Sequence, residues 1–284
     1  MTKLIWCSDI HLDFFAEPGG DDVIRQILAF PIAREKPDLV ILTGDISTAE
    51  YIAGHLSLLS DIIDAPINFV CGNHDFYGSS VQQVRDSLED LCSSSSQKLK
   101  YLTRSSFVPV TQSTALVGHD GWCDAFHGSP FTSELIMNDW LRITDYTRNG
   151  VVKFGSSGMR INRKAILTTA RRLAADAAHR VTSSAVAAIE AGYKTVIIAT
   201  HVPPFTAVHL NGGKGSSPDA QPWYTSMTMG DAIIDLARLH PDIDFNILCG
   251  HTHSKISVSI TNNITCYVAE AHYGNPGYNV VQIQ

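Results

Sequence analysis

Six short stretches of the chain, residues 3–7, 38–42, 66–70, 114–117, 195–199 and 244–248, are mostly apolar with no in-and-out alternation. A strand with one face in water alternates; an uninterrupted apolar run is covered on both faces, as in the middle of a largely parallel sheet. Between the runs lie stretches with helical spacing. Residues 21–35 carry Val23, Ile24, Ile27 and Leu28 on one side, with Pro31 expected to end or kink the helix. Residues 48–63 carry Ile52, Leu56, Leu59 and Ile63, and Ser80 with Gln83 forms a capping pattern ahead of Val81, Val84, Leu88 and Leu91. A long alanine-rich stretch, residues 159–192, reads as helix with a break near Thr182-Ser183-Ser184, and 231–239 as a further helix. Residues 256–260 and 264–268 around Thr261-Asn262-Asn263 predict a hairpin, and 278–283 a last strand. The alternation of strand and helix indicates an α/β fold.

A chain of 284 residues with 44% hydrophobic content has enough apolar surface for a full core, and no domain boundary interrupts it, so residues 1–284 read as one domain. An irregular excursion is expected over about 121–157, and a candidate lid loop, rich in Gly, Ser and Pro, over about 207–228. The net charge of -7 argues against a broad nucleic-acid surface. The basic run between Arg142 and Arg180 reads as a solvated helix face. Six cysteines without a CxxC pair fit reduced thiols better than a zinc knuckle or a disulfide framework. No apolar run approaches the ~20 residues of a membrane span, and the start of the chain has no signal-peptide core. The expectation is a cytoplasmic protein without a membrane partner.

Five apolar runs end in groups able to bind a metal: Asp9 and His11, Asp45, Asn73 (followed by His74 and Asp75), His201, and His251 with His253. In open α/β sheets, sites collect outside the carboxyl ends of the strands. Two carboxylates, one amide oxygen and four imidazoles exceed the needs of one tetrahedral zinc and suit two divalent ions sharing a bridging carboxylate. Two dications less the charges of Asp9 and Asp45 leave a surplus of about +2, which attracts phosphate. Asn73 offers oxygen without removing charge. Nitrogen and oxygen ligands without thiolate suit Mn, Fe, Zn, Co or Ni.

The ordered blocks Asp9-Ile10-His11, Gly44-Asp45, Gly72-Asn73-His74-Asp75, His201 and Gly250-His251-Thr252-His253 resemble the calcineurin-like metallophosphoesterases, whose pattern is D-x-H, GD, GNH[DE], H, GHxH. The resemblance spans residues 9–253. It implies two mixed β-sheets packed face to face with helices outside, a four-layer αββα sandwich. It also implies a dinuclear centre, with Asp9, His11 and His253 on one ion, Asn73, His201 and His251 on the other, and Asp45 between them. His74 would face the leaving-group oxygen, with Asp75 orienting it. The implied reaction is hydrolysis of a phosphate mono- or diester, of a small molecule or nucleotide, by in-line attack of a water activated by the ions. Alternatives are a nuclease acting on DNA or RNA and a non-catalytic interaction module on the same fold. After Gly44-Asp45 the chain has Ile46-Ser47-Thr48 where the Ser/Thr protein phosphatases continue with an arginine, which counts against a phosphoprotein substrate. The lipid A pathway pyrophosphatases have Arg in place of His74. His119 and Asp120 could support the ligands, Tyr77, Trp122 and Trp223 could stack on a base, and Cys71 and Cys249 read as compact strand residues.

Overall fold

The computed structural model describes residues 1–154, 158–211 and 216–283. The apolar runs form the middles of two sheets. In the first, β1 (Thr2–Cys7), β2 (Leu39–Thr43), β3 (Ile67–Val70) and β4 (Leu99–Tyr101) run parallel, and β13 (Asn279–Ile283) pairs antiparallel with the outer edge of β1. The second is mixed, in the order β11 (Ile256–Thr261), β12 (Ile264–Val268), β10 (Asp244–Cys249), β9 (Thr195–Thr200), β6 (Thr114–His119), β5 (Val108–Pro109). A separate ribbon pairs β7 (Val151–Phe154) with β8 (Gly158–Ile161).

Alternate residues of each strand enter different layers. Leu4 and Trp6, Leu39 and Ile41, and Val70 meet Leu116, Ile197, Ala199 and Leu248 of the other sheet, so the sheets pack face to face. Their neighbours Ile5, Cys7, Val40, Leu42 and Phe69 belong instead to the larger core that includes the helices. Burial on both faces is what removed the alternation from the sequence. The helices are α1 (Gly20–Ile24), α2 (Phe30–Arg34), α3 (Ile52–Ile62), α4 (Val81–Ser94), α5 (Asn138–Arg142), α6 (Thr144–Gly150), α7 (Arg163–Glu190) and α8 (Met227–Leu239). α7 packs on β6 and β9 and against α8. The architecture is the expected α/β sandwich of two mixed sheets with helices outside.

Local outcomes differ from expectation for physical reasons. Pro31 does not end its helix: a π-helical turn, Arg25–Ala29, joins α1 to α2, and the proline falls in the first turn of α2, where a missing N–H costs least. The break foreseen near Thr182 is absent, because its hydroxyl donates back to Ala178 O at 2.8 Å within an unbroken α7. That helix starts four residues later than expected because β8 takes its first turn; Asn162 then caps it, accepting from Ala165 N. The excursion over 121–157 contains α5 and α6, and its residues 155–157 lie outside the described residues. Among the described residues no helix is long and apolar enough to cross a membrane.

Candidate metal centre

The loops after β1, β2 and β3 meet those after β9 and β10 at one edge of the sandwich. Their backbones are knitted together: Asp9 N donates to Gly44 O (2.9 Å), His11 N to Asp45 O (3.0 Å) and Gly250 N to His201 O (3.0 Å). The turns are tight enough to force unusual backbone. Asp9, His11, Asp45, His251 and His253 have φ of 51°, 42°, 48°, 67° and 57°, in the left-handed region that non-glycine residues enter at a cost of order 1 kcal/mol. Gly72 and Gly250 are required by contact rather than by φ. A methyl on Gly72 would strike Asp45 and one on Gly250 would strike Asp9 and Ser8.

Donor atoms converge in two groups. Ligand atoms of Asp9, His11, Asp45 and His253 lie within 4.8 Å of one another, and His253 Nε2 is 3.1 Å from Asp9 Oδ1. Beside them, His201 Nε2 is 3.1 Å from Asn73 Oδ1, 3.2 Å from His251 Nδ1 and 3.4 Å from Asp45 Oδ1. Asp45 therefore borders both groups; its Oδ2 is 3.8 Å from His11 Nε2. Among the described residues, buried His11 has no hydrogen-bond partner for either ring nitrogen. An unmade buried bond costs roughly 1–3 kcal/mol, and a cation among these donors would satisfy one of the two nitrogens. The far nitrogens of two other rings are already engaged, His201 Nδ1 at Thr43 O (3.0 Å) and His251 Nε2 at Trp223 O (3.2 Å). Donation to those carbonyls leaves the lone pairs of His201 Nε2 and His251 Nδ1 facing the centre.

Electrostatics favour the ligand forms of His11, His251 and Asp45, while at His201 a proton stands where a cation would displace it. Burial, with the nearby His74, pushes His11 down to about 4, and burial, with His201, takes His251 to about 3, so both imidazoles are neutral. Burial also works against charge at Asp45, yet His201 and His74 outweigh it and hold that carboxyl well below its ordinary range. The same carboxylates, Asp45 and then Asp9, overcome burial at His201 and raise it to about 10. Two buried carboxylates thus demand positive charge at this point, and the donor set fits divalent cations.

The model of the calcineurin-like phosphoesterases matches residues 2–255. The chain belongs to that family. Among solved structures, the phosphopantetheinyl hydrolase PptH from Mycobacterium tuberculosis is similar with a TM-score of 0.60 at 13% identity, covering 94% of this chain and 89% of that one. A dimetal phosphatase from Danio rerio gives a TM-score of 0.54 at 14% identity, over 95% and 87%. At these identities the likeness is one of fold. No curated protein matches the sequence.

Around the donors, this member of the family places further residues, among them one that the sequence did not single out. Asp139, from α5, accepts from Asn73 Nδ2 (2.8 Å) and from Tyr77 OH (2.7 Å), which turns the Asn73 oxygen towards His201. Asp75 departs from expectation. Its carboxylate accepts from Gly72 N and Ser47 N, both at 2.7 Å, and makes no contact with the His74 ring among the described residues. It braces the turn instead of orienting the imidazole. His74 packs on Tyr77 and His11, with Nε2 3.9 Å from Asp45 Oδ2, and lines a cavity of about 260 Å³ beside the donors. Asp120 supports the centre through backbone: it accepts from Cys71 N (2.9 Å), and its own carbonyl accepts from His201 N (3.0 Å). His119 turns towards Arg85 and Asp176. Trp122 and Trp223 are buried and unavailable for stacking, whereas Tyr77, Tyr224 and Tyr273 line the cavity. Cys71 and Cys249 are buried strand-end residues, and Cys249 Sγ donates to Tyr267 O at 3.2 Å.

Proposed function

We propose that this chain is a metal-dependent hydrolase of small-molecule or nucleotide phosphate mono- or diesters, using two divalent ions drawn from Mn, Fe, Zn, Co or Ni. Asp9, His11 and His253 would hold one ion, Asn73, His201 and His251 the other, with Asp45 shared. The observation that carries this reading is the convergence of these donors in two groups that share Asp45, with the His11 ring nitrogens lacking a hydrogen-bond partner among the described residues. Two bound ions supply Lewis-acid activation of water and neutralise charge on the phosphoryl oxygens.

The protein's own part is positioning and proton supply. Asp139 and Tyr77 hold the Asn73 amide, Thr43 O and Trp223 O fix two imidazoles, and Asp75 holds the turn carrying His74. As the water oxygen bonds to phosphorus and gives up a proton to solvent, the opposite P–O bond breaks and the leaving oxygen takes a proton from His74, which lines the cavity at 20% side-chain exposure and is reprotonated from solvent. Unpaired thiols at all six cysteines support a reducing compartment such as the cytoplasm.

His74→Ala should lower kcat by roughly 10²–10⁴-fold, the range for losing a general acid, with metal content unchanged by elemental analysis. Loss of both ions from that variant would refute the assigned role.

A further inference from the structure

We infer that the cavity beside the metal centre selects esters of a compact alcohol that is uncharged and apolar or aromatic, and disfavours a second phosphate or an acidic group next to the ester. This rests on the phosphoesterase reading above.

The cavity lining is chemically divided. Asp45, Asn73, His74, His251 and His253 mark its metal end, where Tyr224 packs on His251 (ring centroids 4.9 Å apart) and Tyr273 packs on His11 and His253 (4.5 and 5.0 Å); Leu135, Ile136, Met137 and Asn138 add further lining. No lysine or arginine lines it among the described residues. The nearby cations are otherwise engaged. The Arg142 guanidinium sits 4.5 Å from the Tyr77 ring centroid, and Arg163 donates to the carbonyls of Pro130, Ser133 and Leu135, so it shapes the wall from behind. The one further charged group of the wall is Asp139, a carboxylate. Among the described lining residues, a single phosphoryl group would find positive charge only at the metal end. A second anionic group further out would lose water against apolar side chains with no cation to replace it.

The apolar surface continues outwards. Ile136 is 49% exposed, and Tyr273, 45% exposed, stacks at 5.2 Å on Phe14, itself 55% exposed. Single exposed apolar residues are ordinary; here two of them belong to the cavity wall and the third packs on one of those, so the patch forms a rim that a ring or short hydrocarbon would cover. At about 260 Å³ the cavity is smaller than the roughly 300–1,000 Å³ common for drug-sized ligands, which limits the alcohol to about one ring.

The test compares benzyl phosphate with glycerol phosphate, which have similar leaving groups, and with ADP, using the full chain loaded with Mn. Each monoester is also supplied as its methyl diester. The expected result is a kcat/KM at least about tenfold higher for the benzyl esters, carried mainly by KM. Ile136→Lys, at a half-exposed position that tolerates the change, should raise kcat/KM for ADP about tenfold and raise KM for the benzyl esters, with melting temperature and metal content unchanged. Equal or better hydrolysis of glycerol phosphate by the natural chain, or a KM for ADP no higher than that for benzyl phosphate, would overturn the inference while leaving the phosphoesterase reading standing. Failure to hydrolyse any of these esters or 4-nitrophenyl phosphate with metal bound would overturn the reading itself, and the inference with it.

Discussion

Asn73 can serve as a ligand only one way round. Its oxygen can meet a cation and its NH₂ cannot, and Asp139 settles the choice by accepting from the NH₂. Asp139→Ala should weaken binding of the ion assigned to Asn73 by roughly 10–100-fold, the usual cost of removing a group that orients a ligand. Calorimetric metal titration should then resolve one weakened and one unchanged site; two unchanged sites would contradict the role. The seven candidate donors could be picked out of the sequence because each follows an apolar strand. Asp139 was not, because it comes from a stretch without periodicity and reaches Asn73 only through tertiary packing. Asp75 misled for the opposite reason, adjacency. His74–Phe76 forms a 3₁₀ turn, in which successive side chains point about 120° apart, so neighbours in sequence face different ways.

At the scale of elements, the end of β6 braces the two sheets where they meet at the centre. The Asp120 carboxylate accepts from Cys71 N, Tyr101 OH, Thr103 Oγ1 and Arg85, whose guanidinium approaches to 2.8 Å, all in the interior. Removing one partner of a buried ion pair costs about 3–5 kcal/mol, so Asp120→Ala should lower the denaturant midpoint accordingly. Burial pushes this carboxyl up, but Arg85 and His119 outweigh it and hold it below the ordinary range. A depressed folded value contributes stability above the unfolded carboxyl's pKa of about 3.9 and loses it as pH falls through the folded value. Melting temperature should therefore hold down to about pH 5 and fall below about 4, with part of that slope missing in Asp120→Asn; an identical slope would exclude Asp120 as a source. The cavity wall is likewise built from two elements tied together: Ser133 Oγ donates to Asp219 O and receives Trp223 Nε1, joining residues 130–137 to 217–224. The lid expected over 207–228 thus has a docked C-terminal part, while 212–215 lie outside the described residues. The central strands were readable from their apolar runs, but β4 and β5, with three and two residues, are too short to leave a pattern, and β7 and β8 lie where the sequence read as irregular and then as helix.

For the whole molecule, Asp9, His11, Asp45 and Asn73 follow strands of one sheet, and His201, His251 and His253 follow strands of the other. Ions held by both sets, as proposed, would stabilise only the docked sandwich. At a hundred times its dissociation constant, each ion should add about 2.7 kcal/mol, so chelation should lower the melting temperature measured by scanning calorimetry, and readdition of Mn should restore it. An unchanged transition would mean that ions do not bridge the sheets. The proposed division of ligands would also set an order in time. A chain leaving the ribosome presents Asp9 long before His251 and His253, so it could complete neither proposed ligand set until β10 has been made. Metal would then be loaded only after β10 has emerged, and a truncated product ending before His251 would release its ions.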